Sequence, residues 1–196
     1  NAWLRDAGYL HLRDGERTGG PWLADVDWGR TRAYALGLSG LYVNLQGRER
    51  DGSVAPAQCA ALKAQLAAAL TGLTDGEAGR VAIERAYVTD VHYGGHYVDD
   101  GPDLLVGYAE GYRVSWGAAR REAGDRVFAD NDRPWSGDHC VEPSLVPGVL
   151  LANRRLHAGA APRITDVPVT ILRLLGVEPP AYMKGRDLLA PAGAAT

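Results

Sequence analysis

The stretch Trp135–Pro143, WSGDHCVEP, sets one imidazole between a carboxylate and a thiol: Asp138, His139 and Cys140. A histidine so placed can ligate a metal through one ring nitrogen, move a proton near neutral pH, or close a polar turn. Spacing alone leaves these three readings open. A metal role would require partners elsewhere, because a catalytic zinc takes about three protein ligands and this loop offers one histidine.

The other histidines carry weaker signals. His92 and His96, in HYGGH, have the i, i+4 spacing of a helical metal pair. The two glycines between them oppose the helix that this spacing needs, so a solvated loop is expected. His11 and His157 read as surface or edge residues. Cys59 lies in an apolar helical pattern and reads as a small buried hydrophobe. Two cysteines are too few for a disulfide framework or a cysteine zinc site. The chain has no G-x-x-x-x-G-K-[ST] loop, no G-x-G-x-x-G, no G-x-S-x-G elbow and no H-E-x-x-H pair.

The elements that must position these residues follow from periodicity. Cys59, Leu62, Leu66, Leu70 and Leu73 recur at steps of three and four, which predicts a helix over Pro56–Leu73 with Pro56 in its first turn. Val167, Ile171, Leu174 and Leu175 predict a second helix. Thr165 or Asp166 can cap it, Pro168 suits its first turn, and Gly176 can end it ahead of Pro179 and Pro180. Strands are expected at Leu41–Leu45, Val81–Val88, Asp103–Tyr108 and Tyr112–Trp116, a short one at Tyr9–Arg13, and a buried one at Val149–Ala152. Gly47–Gly52 reads as an exposed turn, and 90–101 and 117–134 as irregular. Interleaved helices and strands predict an α/β or α+β class with a mixed sheet. One domain is expected over 1–190, with an Ala/Gly-rich flexible tail over 191–196.

Composition removes some function classes. The formal net charge is −3 with no basic block, which gives no footprint for duplex nucleic acid. No apolar run reaches the roughly 20 residues of a membrane span.

Four stretches, in order, resemble one family: Asp25–Val54 (DVDWGRTRAYALGLSGLYVNLQGRERDGSV), Pro102–Trp116 (PDLLVGYAEGYRVSW), Trp135–Leu156 (WSGDHCVEPSLVPGVLLANRRL) and Ile164–Leu189 (ITDVPVTILRLLGVEPPAYMKGRDLL). They are similar to the type I phosphodiesterase/nucleotide pyrophosphatase family of the alkaline phosphatase superfamily. The last stretch is shared across the superfamily; the first three are more specific. The resemblance implies a partial alkaline-phosphatase-like sheet between helices. It also implies two divalent metal ions, usually zinc, and a Thr or Ser nucleophile that forms a phospho-enzyme. The late histidine ligand of the family pattern falls on His139, with Asp138 or a backbone carbonyl as acceptor for its second ring N–H.

The family's early elements have no counterpart in these residues: the first Asp, the nucleophile, the acidic and histidine ligands of the other metal, and the Asp-His-Gly motif. Thr31, Thr165, Ser115 and Ser136 read as strand, cap or loop residues, not as replacements for the nucleophile. The expectation is therefore the C-terminal part of a longer phosphoesterase acting on a phosphate-ester or anhydride substrate, inactive by itself. Two alternatives remain. One is a non-catalytic binding or oligomerisation module of the same ancestry, self-associating through exposed core surface. The other is a phosphomonoesterase, sulfatase or phosphate-group transferase of the superfamily.

Overall fold

A computed structural model describes residues 1–196 except 15, 17–19, 121, 136, 139, 158–160 and 190–196, with Ala119 described by its backbone alone. The tail expected over 191–196 lies outside the described residues. The chain divides into two units, 1–146 and 147–196.

Unit 1 opens with helix α1 (Ala2–Asp6) and continues into strands β1 (Ala33–Leu36) and β2 (Gly40–Val43), joined by a tight turn. Helix α2 (Pro56–Leu70) follows, then a two-residue ladder of β3 (Thr74–Asp75) with β4 (Arg80–Val81). Strand β5 (Ile83–Val88), helix α3 (Thr89–His92), strand β6 (Leu104–Tyr108) and helix α4 (Trp116–Ala119) complete the regular elements. The main sheet has the order β1-β2-β6-β5.

Every ladder in that sheet is antiparallel, where a mixed sheet was expected. The reason is the central position of β6. Because β6 runs antiparallel to both β2 and β5, those two strands are parallel to each other but never touch, and α2 is the crossover between them. The class is α/β-type in its mixture of elements, with helices flanking an antiparallel sheet.

Period-two alternation sorts the sheet residues by face. Val43, Leu41, Leu104 and Ala86 share the face that meets Leu62, Leu66 and Leu70 of α2 in one buried cluster. Each of those leucines contributes about 1.5–3 kcal/mol through burial. Cys59 and Leu73 pack against the cluster from its margin. The helix stops at Leu70, short of Leu73, because Thr71 turns extended and Gly72 takes φ +77 while its N–H goes to the Ile83 carbonyl. On the other face Tyr34 stacks on Tyr42 with centroids 5.4 Å apart.

Two expected strands of unit 1 did not form. Tyr9–Arg13 makes only an isolated bridge, Leu12 to Val26. Tyr112–Trp116 is unpaired, because both edges of β6 are already taken by β2 and β5; instead Ser115 caps α4, its hydroxyl accepting from the Ala118 N–H at 3.1 Å.

Unit 2 is built around helix α5 (Asp166–Leu174). The segment after Met183 is strapped along this helix. Leu188 N–H donates to Thr170 Oγ1 at 2.9 Å, and His157 N–H donates to the Leu188 carbonyl at 2.9 Å. Thr165 occupies the cap position without a side-chain bond, and Pro168 stands in the first turn. Val149–Ala152, expected as a buried strand, has no ladder partner among the described residues and is exposed; Leu151 shows 90% of its surface.

Candidate functional site

The residues flanking position 139 are held by β6, the segment after it and the start of α4. The guanidinium of Arg113 lies over the Trp116 ring, 4.4 Å from its centroid. Its Nε sits 3.1 Å from Oδ2 of Asp138, an ion pair without a hydrogen bond between the two atoms. Oδ1 of Asp138 accepts the Cys140 N–H at 3.0 Å. Stacking and charge together thus fix Asp138, on one side of position 139.

The other side is fixed by Glu142, which is only 5% exposed. Its N–H donates to the Tyr108 carbonyl of β6 at 2.9 Å. The Tyr87 hydroxyl of β5 donates to its Oε1 at 2.6 Å, and the Ser144 hydroxyl does so at 3.3 Å. Oε2 lies against Gly107, where a Cβ would collide with it, and has no hydrogen-bond partner among the described residues.

The electrostatics of this corner favour protonated forms. Burial first, and then the Asp138 carboxylate, push the Cys140 thiol up, against the opposing pull of Arg113. A thiol kept protonated is a poor nucleophile and a poor metal ligand. Burial, with Asp138 and Cys140 nearby, pushes the Tyr108 phenol up to about 12, so it stays a hydrogen-bond donor at neutral pH.

His139 and Ser136 lie outside the described residues. Each of the remaining sequence candidates has a local setting of its own. His92 ends α3, edge-on to Tyr87 at 5.4 Å between centroids, and Tyr93 is already extended, so the His92–His96 spacing does not fall on a helix. His96 and His157 are exposed. Thr31 is buried, its hydroxyl shared between the N–H and carbonyl of His11. Trp135 is 66% exposed and does not pack on the sheet; its carbonyl accepts from Asn131 Nδ2 at 2.6 Å.

A two-zinc centre needs about three protein ligands per metal. Among the described residues no three His, Cys, Asp or Glu side chains converge to hold a metal. The described donor set therefore does not by itself fit such a centre.

A second polar cluster, which sequence reading passed over, anchors the Gly47–Gly52 turn. Asp103 is 7% exposed and accepts from Val43 N–H at 2.7 Å and Arg48 Nη2 at 2.6 Å. Burial alone would lower the Arg48 guanidinium, but its bonds and pairing to Asp103 and Glu49 outweigh that and push it up. Arg113, Glu142 and this cluster were invisible because their partners are distant in sequence; Tyr87 and Glu142 are 55 positions apart.

Comparison with protein-family models, with curated proteins and with solved structures returns no match for the chain.

Proposed function

We propose that this chain is the C-terminal portion of a metal-dependent phosphoesterase of the phosphodiesterase/nucleotide pyrophosphatase kind. The parent enzyme hydrolyses phosphodiester or phosphate-anhydride bonds. The observation that carries the reading is the order and spread of four family-like stretches, from Asp25 to Leu189, the first three being the more specific. In this reading the sheet and helices are part of an alkaline-phosphatase-like domain, and His139 is one ligand of a two-metal centre. The nucleophile and the other ligands come from residues outside this chain. Metals held there by His139 and by ligands from outside this chain would supply an activated nucleophile and charge stabilisation on the departing oxygen.

What the chain's own residues do is positional. Asp138 and Glu142 tie both shoulders of the loop to Arg113 and to β5 and β6.

Reading the coding sequence immediately upstream of Asn1 tests the proposal. An in-frame Asp, a Thr or Ser nucleophile and an Asp-His-Gly motif are expected there. A start codon or an unrelated domain would overturn it. The parent protein should then cleave an activated phosphodiester in zinc and lose that activity on His139→Ala, while the 196-residue chain alone stays inactive.

A second reading, a binding or self-associating module, is favoured by the apolar residues that unit 2 exposes, Leu151, Ile164 and Leu175 among them. Light scattering separates the two: a clean monomer at high concentration counts against it.

A further inference from the structure

Unit 2 contains a cavity of about 530 Å³ lined by Ala161, Pro162, Arg163, Asp166, Lys184 and Arg186. Three cationic side chains and one carboxylate meet there. The carboxylate is spent on the fold. Asp166 is 2% exposed, and its oxygens accept the Arg163 N–H and the Arg186 N–H at 2.9 Å each, with Arg186 Nη2 at 3.3 Å. That Nη2 also donates to the Ala161 carbonyl at 2.9 Å. Asp166 thus offsets one of the three cations, through one edge of its guanidinium.

The rest of the positive charge is uncommitted. The Arg163 guanidinium, the Lys184 ammonium and the outer nitrogens of Arg186 make no hydrogen bond or ion pair among the described residues. The backbone that carries Lys184 and Arg186 is nonetheless held in place. Gly185, between Lys184 and Arg186, lies so close to the Thr165 carbonyl that a Cβ would collide with it, so this backbone accepts only glycine. Asp166 and Thr170 hold the same segment by its N–H groups. Unit 2 as a whole carries Arg154, Arg155, Arg163, Arg173, Lys184 and Arg186 against Asp166, Glu178 and Asp187. That positive excess sits in a chain whose formal charge is −3.

We propose that this cavity is a binding site for a phosphate-type oxyanion of charge two or more. Like charges gathered around a cavity repel, and a multivalent anion converts the repulsion into attraction. Two guanidinium forks and an ammonium match the several oxygens of a phosphate or pyrophosphate group. A single carboxylate would satisfy one fork and leave the others facing one another. The site belongs to unit 2 alone and stands whether or not the chain comes from a phosphoesterase. The phosphate can be free or carried on a lipid headgroup, and the test separates the two.

The test uses the 196-residue chain at low salt. Inorganic pyrophosphate is titrated while amide resonances are followed by NMR, and in parallel the chain is sedimented with phosphatidylcholine vesicles containing phosphatidic acid. Saturable shifts confined to Arg163, Gly185 and Arg186 are expected. They should weaken by about tenfold or more in Arg163→Glu, as for loss of a charge-assisted pair. Arg154→Glu, the same charge change in the same unit but off the cavity, should leave binding nearly intact. Vesicle binding that depends on Arg163, without a pyrophosphate response, assigns the phosphate to a lipid and also upholds the site. No response in either arm overturns the proposal, as does equal weakening by the two variants, which would reduce the effect to general charge.

Discussion

The Tyr87 hydroxyl donates to Oε1 of Glu142 at 2.6 Å, while Oε2 of the same carboxylate lies against Gly107 with no hydrogen-bond partner among the described residues. One phenol on β5 therefore carries most of the polar satisfaction of an acid that is almost wholly buried. Tyr87→Phe should cost about 1–3 kcal/mol, the usual penalty for stranding a buried polar group. Urea unfolding followed by circular dichroism measures it. A loss below about 0.5 kcal/mol would mean that solvent already serves this carboxylate.

Gly107 is the floor under that acid. Gly107→Ala puts a methyl where Oε2 now sits, and the strain should cost about 1–3 kcal/mol. In a Glu142→Ala background the same substitution should cost much less, because the two residues share the space. Equal costs in both backgrounds would show that the clash is with the strand and not with the acid.

Arg48 and Lys63 offer a contrast in charge pairs. Arg48 meets a buried acid, Asp103, whereas Lys63 meets Asp90, which is half exposed. Lys63→Met should change stability by less than about 1 kcal/mol. Arg48→Met strands Asp103 with only the Val43 N–H, and should cost about 2–3 kcal/mol, below the about 3–5 of a fully enclosed pair. Thermal melts of the two variants decide the order.

Asp166 should make unit 2 sensitive to acid. The backbone N–H groups of Arg186 and Arg163 hold its carboxyl below the usual range, against burial, with the Arg186 guanidinium adding to them. A carboxyl depressed in the folded state adds stability above its unfolded pKa of about 4, and that contribution fades as pH falls through the lower folded value. The Arg186 and Leu188 amide resonances should therefore hold steady from neutral pH to about 4 and move below it. Asp166→Asn should abolish that acid transition and loosen the segment at every pH.

Cys140 should react slowly with iodoacetamide near neutral pH, since its thiol is held protonated. Asp138→Asn removes the nearby negative charge and keeps an acceptor for the Cys140 N–H, so alkylation should quicken. Peptide mapping separates Cys140 from Cys59. An unchanged rate would leave burial as the sole cause.

Much of the local structure was legible in the residues themselves. Leu62, Leu66 and Leu70 announce α2, and Pro168 with Val167 and Ile171 announces α5, because a helix closes its hydrogen bonds within a few positions and writes its period into the sequence. The strands β2, β5 and β6 were visible for their β-branched and aromatic content. Tyr112–Trp116 and Val149–Ala152 have the same content and are not strands. Tyr112–Trp116 follows β6 across a short turn, where a hairpin would need a free edge of β6, and both are taken by β2 and β5. The antiparallel arrangement, β6 between β2 and β5, was likewise beyond any local pattern.

The same division runs through the site. From its amino acids alone the chain marks the loop around Asp138 and makes His139 a candidate ligand, an expectation that rests on the resemblance of its ordered stretches. Only the folded chain brought Arg113 to Asp138, Tyr87 to Glu142, and Arg163, Lys184 and Arg186 to one cavity. These side chains are charged or polar and come from separated positions, so they leave no periodic signal. What selects the pairs Arg113 with Asp138 and Tyr87 with Glu142 is the cost of leaving charge and hydrogen-bonding groups unmatched once burial has removed water, and that cost exists only in three dimensions.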